Sequence, residues 1–177
     1  ETAFGDVDLD GDLDLVFASA VGVLQVAFNE VLGSVGAPYC GSAVPNSTGL
    51  SADLRATGSP KLSLNTLTLH GTNLPPQSFG FFLNSQVQGF NPSVPGSVGA
   101  ICLAGSIGRF VKPSEVQQAS AAGTFSLELD LTAIPTPGAG LVSVLTGETW
   151  NFQAWYRDVD GMGGATSNFT DALSVAF

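Results

Sequence analysis

Five aspartates fall at alternate positions near the start of this chain: Asp6, Asp8, Asp10, Asp12 and Asp14, within FGDVDLDGDLDLVFAS. Carboxylates spaced this closely raise one another's pKa and push the backbone open unless a cation lies among them. A hard divalent cation with oxygen ligands is the simplest compensation. Calcium takes about six to eight oxygens, and loops of the D-x-D-x-D-G type supply them at alternate positions. In this reading Asp6, Asp8 and Asp10 give side-chain oxygens and Gly11, sixth from Asp6, makes the sharp turn around the ion. Asp12 gives its backbone carbonyl, and Asp14, ninth from Asp6, closes the shell. An EF-hand would need a bidentate acid at the twelfth position and helices on both sides. Phe17 stands there instead, and the flank LDLVFASA reads as strand. The alternative is a solvated acidic turn that binds nothing. All five ligands come from one short loop, so the ion's expected role is structural rather than catalytic.

No catalytic set emerges beside it. His70 is the only histidine and stands at the end of an alternating run, before Gly71. A Ser-His-Asp triad or a zinc site would have to be built on that one residue. Glu115, Glu128, Glu148, Asp158, Asp160 and Asp171 could in principle pair for glycoside hydrolysis, but nothing singles out two of them. The chain therefore reads as non-enzymatic. Asp158 and Asp160, in RDVDGMGG, could hold a second cation, although two acids among glycines more often make a plain turn. WNFQAWYRD places Trp150, Phe152, Ala154 and Tyr156 on one strand face and Asn151, Gln153, Trp155 and Arg157 on the other. An exposed Trp155 could stack on a sugar ring; more often such a second face is covered by a loop. Asn46-Ser-Thr and Asn168-Phe-Thr match the glycosylation sequon, a short motif that recurs by chance.

The elements that must position these residues are strands. Short apolar or alternating runs separated by Gly, Pro and Asn give the pattern of an all-β, antiparallel β-sandwich of the jelly-roll or Ig-like kind. The expected strands cover 13–18, 22–29, 52–58, 61–71, 79–84, 99–103, 123–131, 149–156 and 172–177. KLSLNTLTLHG alternates with a slip at Asn65–Thr66 that suggests a bulge, and TFSLELDL alternates throughout. Only KPSEVQQASAAG could form a helical turn, with Ser114 as its cap. Periodicity stops in GSVGAPYCGSAVPNSTG, which divides the chain into an N-terminal calcium-binding β-hairpin arm, 1–36, and a β domain, 37–177.

Composition bounds the rest. Charged residues make up 11% of 177, and the net charge is −10. Six of the fifteen acids lie in the first fourteen residues, so the acidity is mostly one local site. Five scattered bases make no phosphate-binding patch, which argues against nucleic acid. No apolar run reaches the roughly 20 residues that cross a bilayer. Cys40 and Cys102 are the only cysteines; one disulfide is the simplest use of two in an exported chain, and two unrelated buried thiols are the alternative. Few lysines, abundant Ser, Thr, Asn and Gly, and the aspartate loop point outside the cell. The first residue lies inside the aspartate-bearing unit, so the chain reads as a mature or cut product of something longer.

Two resemblances add to this. FGDVDLDGDLDLVFA resembles one FG-GAP/VCBS-type repeat, the calcium-bearing blade unit of integrin-like β-propellers, over roughly residues 3–30. YCGSAVPNSTG, LPPQSFGFFLNS, ICLAGSIGRFV, TFSLELDL, GETWNFQAWYRDVDG and SNFTDALSVAF resemble a C-terminal domain appended to many large secreted bacterial repeat proteins, over nearly all of 39–177. That resemblance implies an extracellular β-sandwich whose two cysteines match Cys40 and Cys102, and no known activity. One repeat cannot close a propeller, and a two-stranded ribbon alone is marginal in water. The arm must therefore pack on missing blades, on its own β domain, or on the sheet edge of the next copy. The last arrangement makes an open head-to-tail filament. The functional expectation is a secreted, calcium-binding structural or surface protein that self-assembles through its arm. The runner-up is an adhesive binding module, for a glycan or a protein, at the end of a larger secreted protein.

Overall fold

The computed structural model describes residues 35–177 in full, together with the backbone strands β1 (Thr2–Gly5), β2 (Asp14–Ala18) and β3 (Leu24–Ala27). These three form an antiparallel sheet in the order β1-β2-β3, with Gly5 opposite Asp14 and Leu15 opposite Ala27.

The largest sheet has six strands. Its path is β10 (Gly108–Arg109), β7 (Phe79–Ser85), β15 (Thr149–Val159), β16 (Ala165–Ala176) and β4 (Ala37–Tyr39), with β11 (Gln117–Gln118) on the other end of β7. A three-stranded sheet runs β12 (Phe125–Glu128), β6 (Thr68–Thr72), β5 (Asp53–Thr57). Two hairpins complete the set: β8 (Val87–Asn91) with β9 (Ile101–Ala104), and β13 (Ile134–Thr136) with β14 (Gly140–Val142). Every strand pair is antiparallel. The described residues contain no helix.

Alternation makes these strands. Trp150, Phe152, Ala154 and Tyr156 of β15 are all buried on one face, as the period of two requires. They join Phe82 of β7, Leu173 and Val175 of β16, and Leu54, Leu69 and Phe125 of the three-stranded sheet in one core cluster. Phe82 meets Phe125 edge-on at 5.1 Å, a contact between the two sheets that contributes about 1 kcal/mol beyond area burial. The reverse face of the large sheet carries a second, smaller cluster of Leu83, Leu103 and Phe169, with Phe81 and Trp155 half-buried against it.

The two sheets are also tied through a bulge. Between Gln153 and Trp155, β16 carries one residue more than β15, at Thr170–Asp171. The bulge turns Asp171 toward β5: its Oδ1 accepts the Leu54 N–H at 2.6 Å, and its own N–H donates to Ala52 O at 3.2 Å. Thr170 Oγ1 accepts the Ala154 N–H that the bulge takes out of the ladder.

Some expected elements differ. Only Thr68–Thr72 of 61–71 is strand. Residues 61–67 form a turn in which Ser59 Oγ accepts the Lys61 N–H and Leu64 N–H donates to Lys61 O. The slip at Asn65 marks a left-handed residue (φ 49°) whose Oδ1 accepts the Leu131 N–H, not a strand bulge. The leucine alternation misleads because Leu62 packs on the core from a turn while Leu67 is fully buried. The expected helical turn at Lys112 is a single turn, with Glu115 and Val116 N–H groups both reaching Lys112 O, followed directly by β11. β16 begins at Ala165 rather than 172.

Candidate functional site

The candidate metal loop is described only at its ends. Asp6, Asp8, Asp10 and Asp12 lie outside the described residues, and Asp14 is described as the first backbone residue of β2. Gly5 and Asp14 are cross-strand partners, so the strands on either side of the aspartate run meet at its two ends. Among the fully described residues no group of three or more His, Cys, Asp or Glu side chains gathers to hold a metal.

Asp160 of the second acidic pair serves its own turn. Its Oδ1 accepts N–H groups from Met162 at 2.9 Å and Gly164 at 2.8 Å. Asp158 is buried, and its Oδ1 accepts from the Ser47 and Val159 backbone. Its Oδ2 is buried with no protein hydrogen bond among the described residues. Asp171 has its pKa pushed up to about 6, first by burial and then by nearby Asp53, against the Leu54 N–H bond that favours the anion.

Cys40 and Cys102 are joined in a disulfide, with Cα atoms 6.2 Å apart. Tyr39 donates its phenol to Cys102 O at 2.9 Å, and burial raises its pKa to about 12. Gln153 is fully buried with all three bonds made to backbone: Oε1 accepts from Cys102, and Nε2 donates to Ala100 O and Thr170 O.

Trp155 lies half-buried, its ring 4.9 Å from Phe81 and tilted by 32°, with the Arg157 guanidinium 6.0 Å from its centroid. Phe81 thus packs against the ring, and the Arg157 guanidinium stands at the outer limit for a cation–π contact with it. Both sequon asparagines are structural. Asn46 donates to Asn73 O at 2.7 Å and its Oδ1 accepts from Thr48; Asn168, fully buried, donates to Val44 O at 3.0 Å.

One concavity among the described residues is not singled out by the sequence. It is an open groove of about 610 Å³ over the outer face of the three-stranded sheet and β11. Arg55, His70 and Ser126 stand on a single rung: Arg55 is paired with His70, and His70 with Ser126. Gln117, Gln118 and Phe125 also line the groove. His70 sits mid-strand, not at a strand end as the sequence suggests. Its Nε2 bonds Thr57 Oγ1 at 2.8 Å, and partial burial holds its pKa below the usual imidazole value, so the ring is neutral at pH 7. Among the described residues no carboxylate lines the groove. Asp53 and Glu128 occupy neighbouring rungs, and Asp53 is engaged by Asn73 Nδ2 at 2.8 Å. The only sequence signal for this site is the polar half of the alternation in DLRAT and TLHGT, the default pattern of any solvated sheet face.

Comparison with protein-family profiles, with curated proteins and with solved structures finds no match to this chain.

Proposed function

We propose that this chain is a secreted, non-enzymatic, calcium-binding protein with a structural role outside the cell or at its surface. The larger sheets form an antiparallel β-sandwich of the jelly-roll or Ig-like kind, and residues 1–36 serve as a calcium-binding arm of the FG-GAP type. The observation that carries the reading is the pairing of Gly5 with Asp14. It brings together the two ends of a D-x-D-x-D-G-x-x-D run, so the acids have one point to surround and calcium is the hard cation that suits them. The ion cross-braces a small sheet that would be marginal alone. The Cys40–Cys102 disulfide fits an oxidising compartment.

Assembly extends the same reading: the arm adds its strands to a sheet edge of the next copy, giving an open filament. The test is negative-stain imaging with light scattering, in calcium and then in EGTA. Fibres that come apart on chelation are expected. Fibres that survive prolonged EGTA, or monomers under both conditions, overturn the calcium-locked junction.

The groove around Arg55 and His70 favours a second reading, in which the β domain is a binding module of a larger secreted protein.

A further inference from the structure

We infer that the groove on the outer face of the β12-β6-β5 sheet is a binding site for a single acidic sugar unit, a uronate carried at the end of a glycan. The inference rests on the binding-module reading and is independent of the calcium arm.

The groove's inventory selects the ligand. Arg55 is exposed and makes no hydrogen bond or ion pair among the described residues. Its guanidinium lies near enough to Asp171 to favour that carboxylate's charged form, yet with no hydrogen bond between them its planar fork can still take one ligand carboxylate. Among the described residues of the lining Arg55 is the one fixed cation, and partial burial disfavours the charged form of His70. Beside it stand groups that need donors. Gln117 gives one Nε2 hydrogen to Ser114 O at 3.0 Å and Gln118 one to Gln77 O at 3.2 Å, which leaves both carboxamide oxygens to accept and one N–H on each to donate. The Ser126 hydroxyl is exposed and has no partner among the described residues. The fitting ligand carries one carboxylate and several hydroxyls at the scale of a sugar ring. Sulfate brings charge without the donors that these acceptors need, and phosphate carries its O–H donors on one small centre rather than spread over a ring. A peptide carboxyl terminus brings only one N–H close to its carboxylate. A polyanion is repelled by the net charge of the chain. The groove's volume is within the range of small-molecule sites.

The test is titration of the intact chain with methyl glucuronoside, methyl glucoside and inorganic phosphate, followed by NMR chemical shifts, in calcium and again in EGTA. Saturable binding of the glucuronoside alone is expected, with shifts at Arg55, His70 and Ser126, unchanged by EGTA. Arg55→Ala should weaken it by about ten-fold or more, and Arg55→Lys by less, because the ammonium keeps the charge and loses the fork. Gln117→Leu should weaken the glucuronoside further while leaving acetate binding untouched. Equal or tighter binding of phosphate overturns the sugar assignment. Absence of saturable glucuronoside binding, or an Arg55→Ala variant that keeps native shifts elsewhere and binds as the parent does, overturns the site. Loss of filaments in EGTA bears only on the arm.

Discussion

Gln153 holds the backbone of Cys102 through a side chain rather than a ladder: its Oε1 accepts the Cys102 N–H at 2.9 Å. With Nε2 donating to Ala100 O and Thr170 O, one buried carboxamide joins the disulfide-bearing strand to the bulge of β16.

Gln153→Leu strands three backbone groups at once. The expected loss is roughly 3 kcal/mol, since each unpaired buried group costs about 1–3 kcal/mol. Gln153→Glu should be worse, because it sets a carboxylate oxygen against two carbonyls. Guanidinium unfolding followed by tryptophan fluorescence reads both. A loss below 0.5 kcal/mol, on the order of an exposed substitution, would contradict the role given to this side chain.

The disulfide closes a separation of 62 residues. Replacing Cys40 and Cys102 together by serine should lower stability by roughly 3–4 kcal/mol in the chain-entropy model. Combined with Gln153→Leu, the losses should not add, because both hold the same strand. A double-mutant cycle in urea measures the coupling.

Asp171 sets a pH dependence. Its native pKa, about 6, exceeds the ordinary 3.8, so the folded state binds the proton more tightly than the unfolded one. Stability from this group is present below its unfolded pKa and is lost as pH rises through about 6. Asp171→Asn keeps an acceptor for the Leu54 N–H and removes the titration. The variant should show a higher Tm than the parent at about pH 7, with the gap closing toward about pH 4. A gap that is flat across that window counts against the shift.

Calcium binding should follow the alternate acids. Asp8→Asn and Asp10→Asn each remove a charged ligand and should weaken calcium by about ten-fold or more, read by calorimetry in chelator-buffered calcium. The melting of the β domain, monitored at Trp150 and Trp155, should move little. Unaltered calcium stoichiometry and affinity in both variants would remove the metal from the loop.

Gly58 has φ 88°, and a Cβ there would run directly into Thr66 O. Gly58→Ala should cost about 2 kcal/mol or more, combining left-handed strain with displacement of the 61–67 turn. Thermal unfolding checks this, and a Tm equal to the parent's would mean that the turn yields at no cost.

Sequence showed most where one residue faces one environment. The aromatic face of β15 is legible because Trp150, Phe152 and Tyr156 must be buried, and the period of two then fixes their common side. The all-β class follows from the same periodicity with Gly and Asn punctuation. Leu62, Leu64 and Leu67 misled because a turn can bury leucines as well as a strand can, and the deciding bonds of Asn65 reach to Asp130 and Leu131, far along the chain. Short strands such as Gly108–Arg109 and Gln117–Gln118 exist only because β7 offers them an edge. The groove was hidden for a related reason. Arg55, His70 and Ser126 come from three strands, and nothing local distinguishes them from a wet sheet face.

β15 and β16 hold the middle of the six-stranded sheet, between β7 and β4, yet they follow both in the chain. A ribosome delivers the flanks first. Until Thr149–Val159 emerges β7 lacks its central partner, until Ala165–Ala176 emerges β4 has none, and Phe82 and Leu54 have only part of their cover. Synthesis from the N-terminus therefore leaves the core of this β domain open until β16 has emerged, however early Cys40 and Cys102 are made.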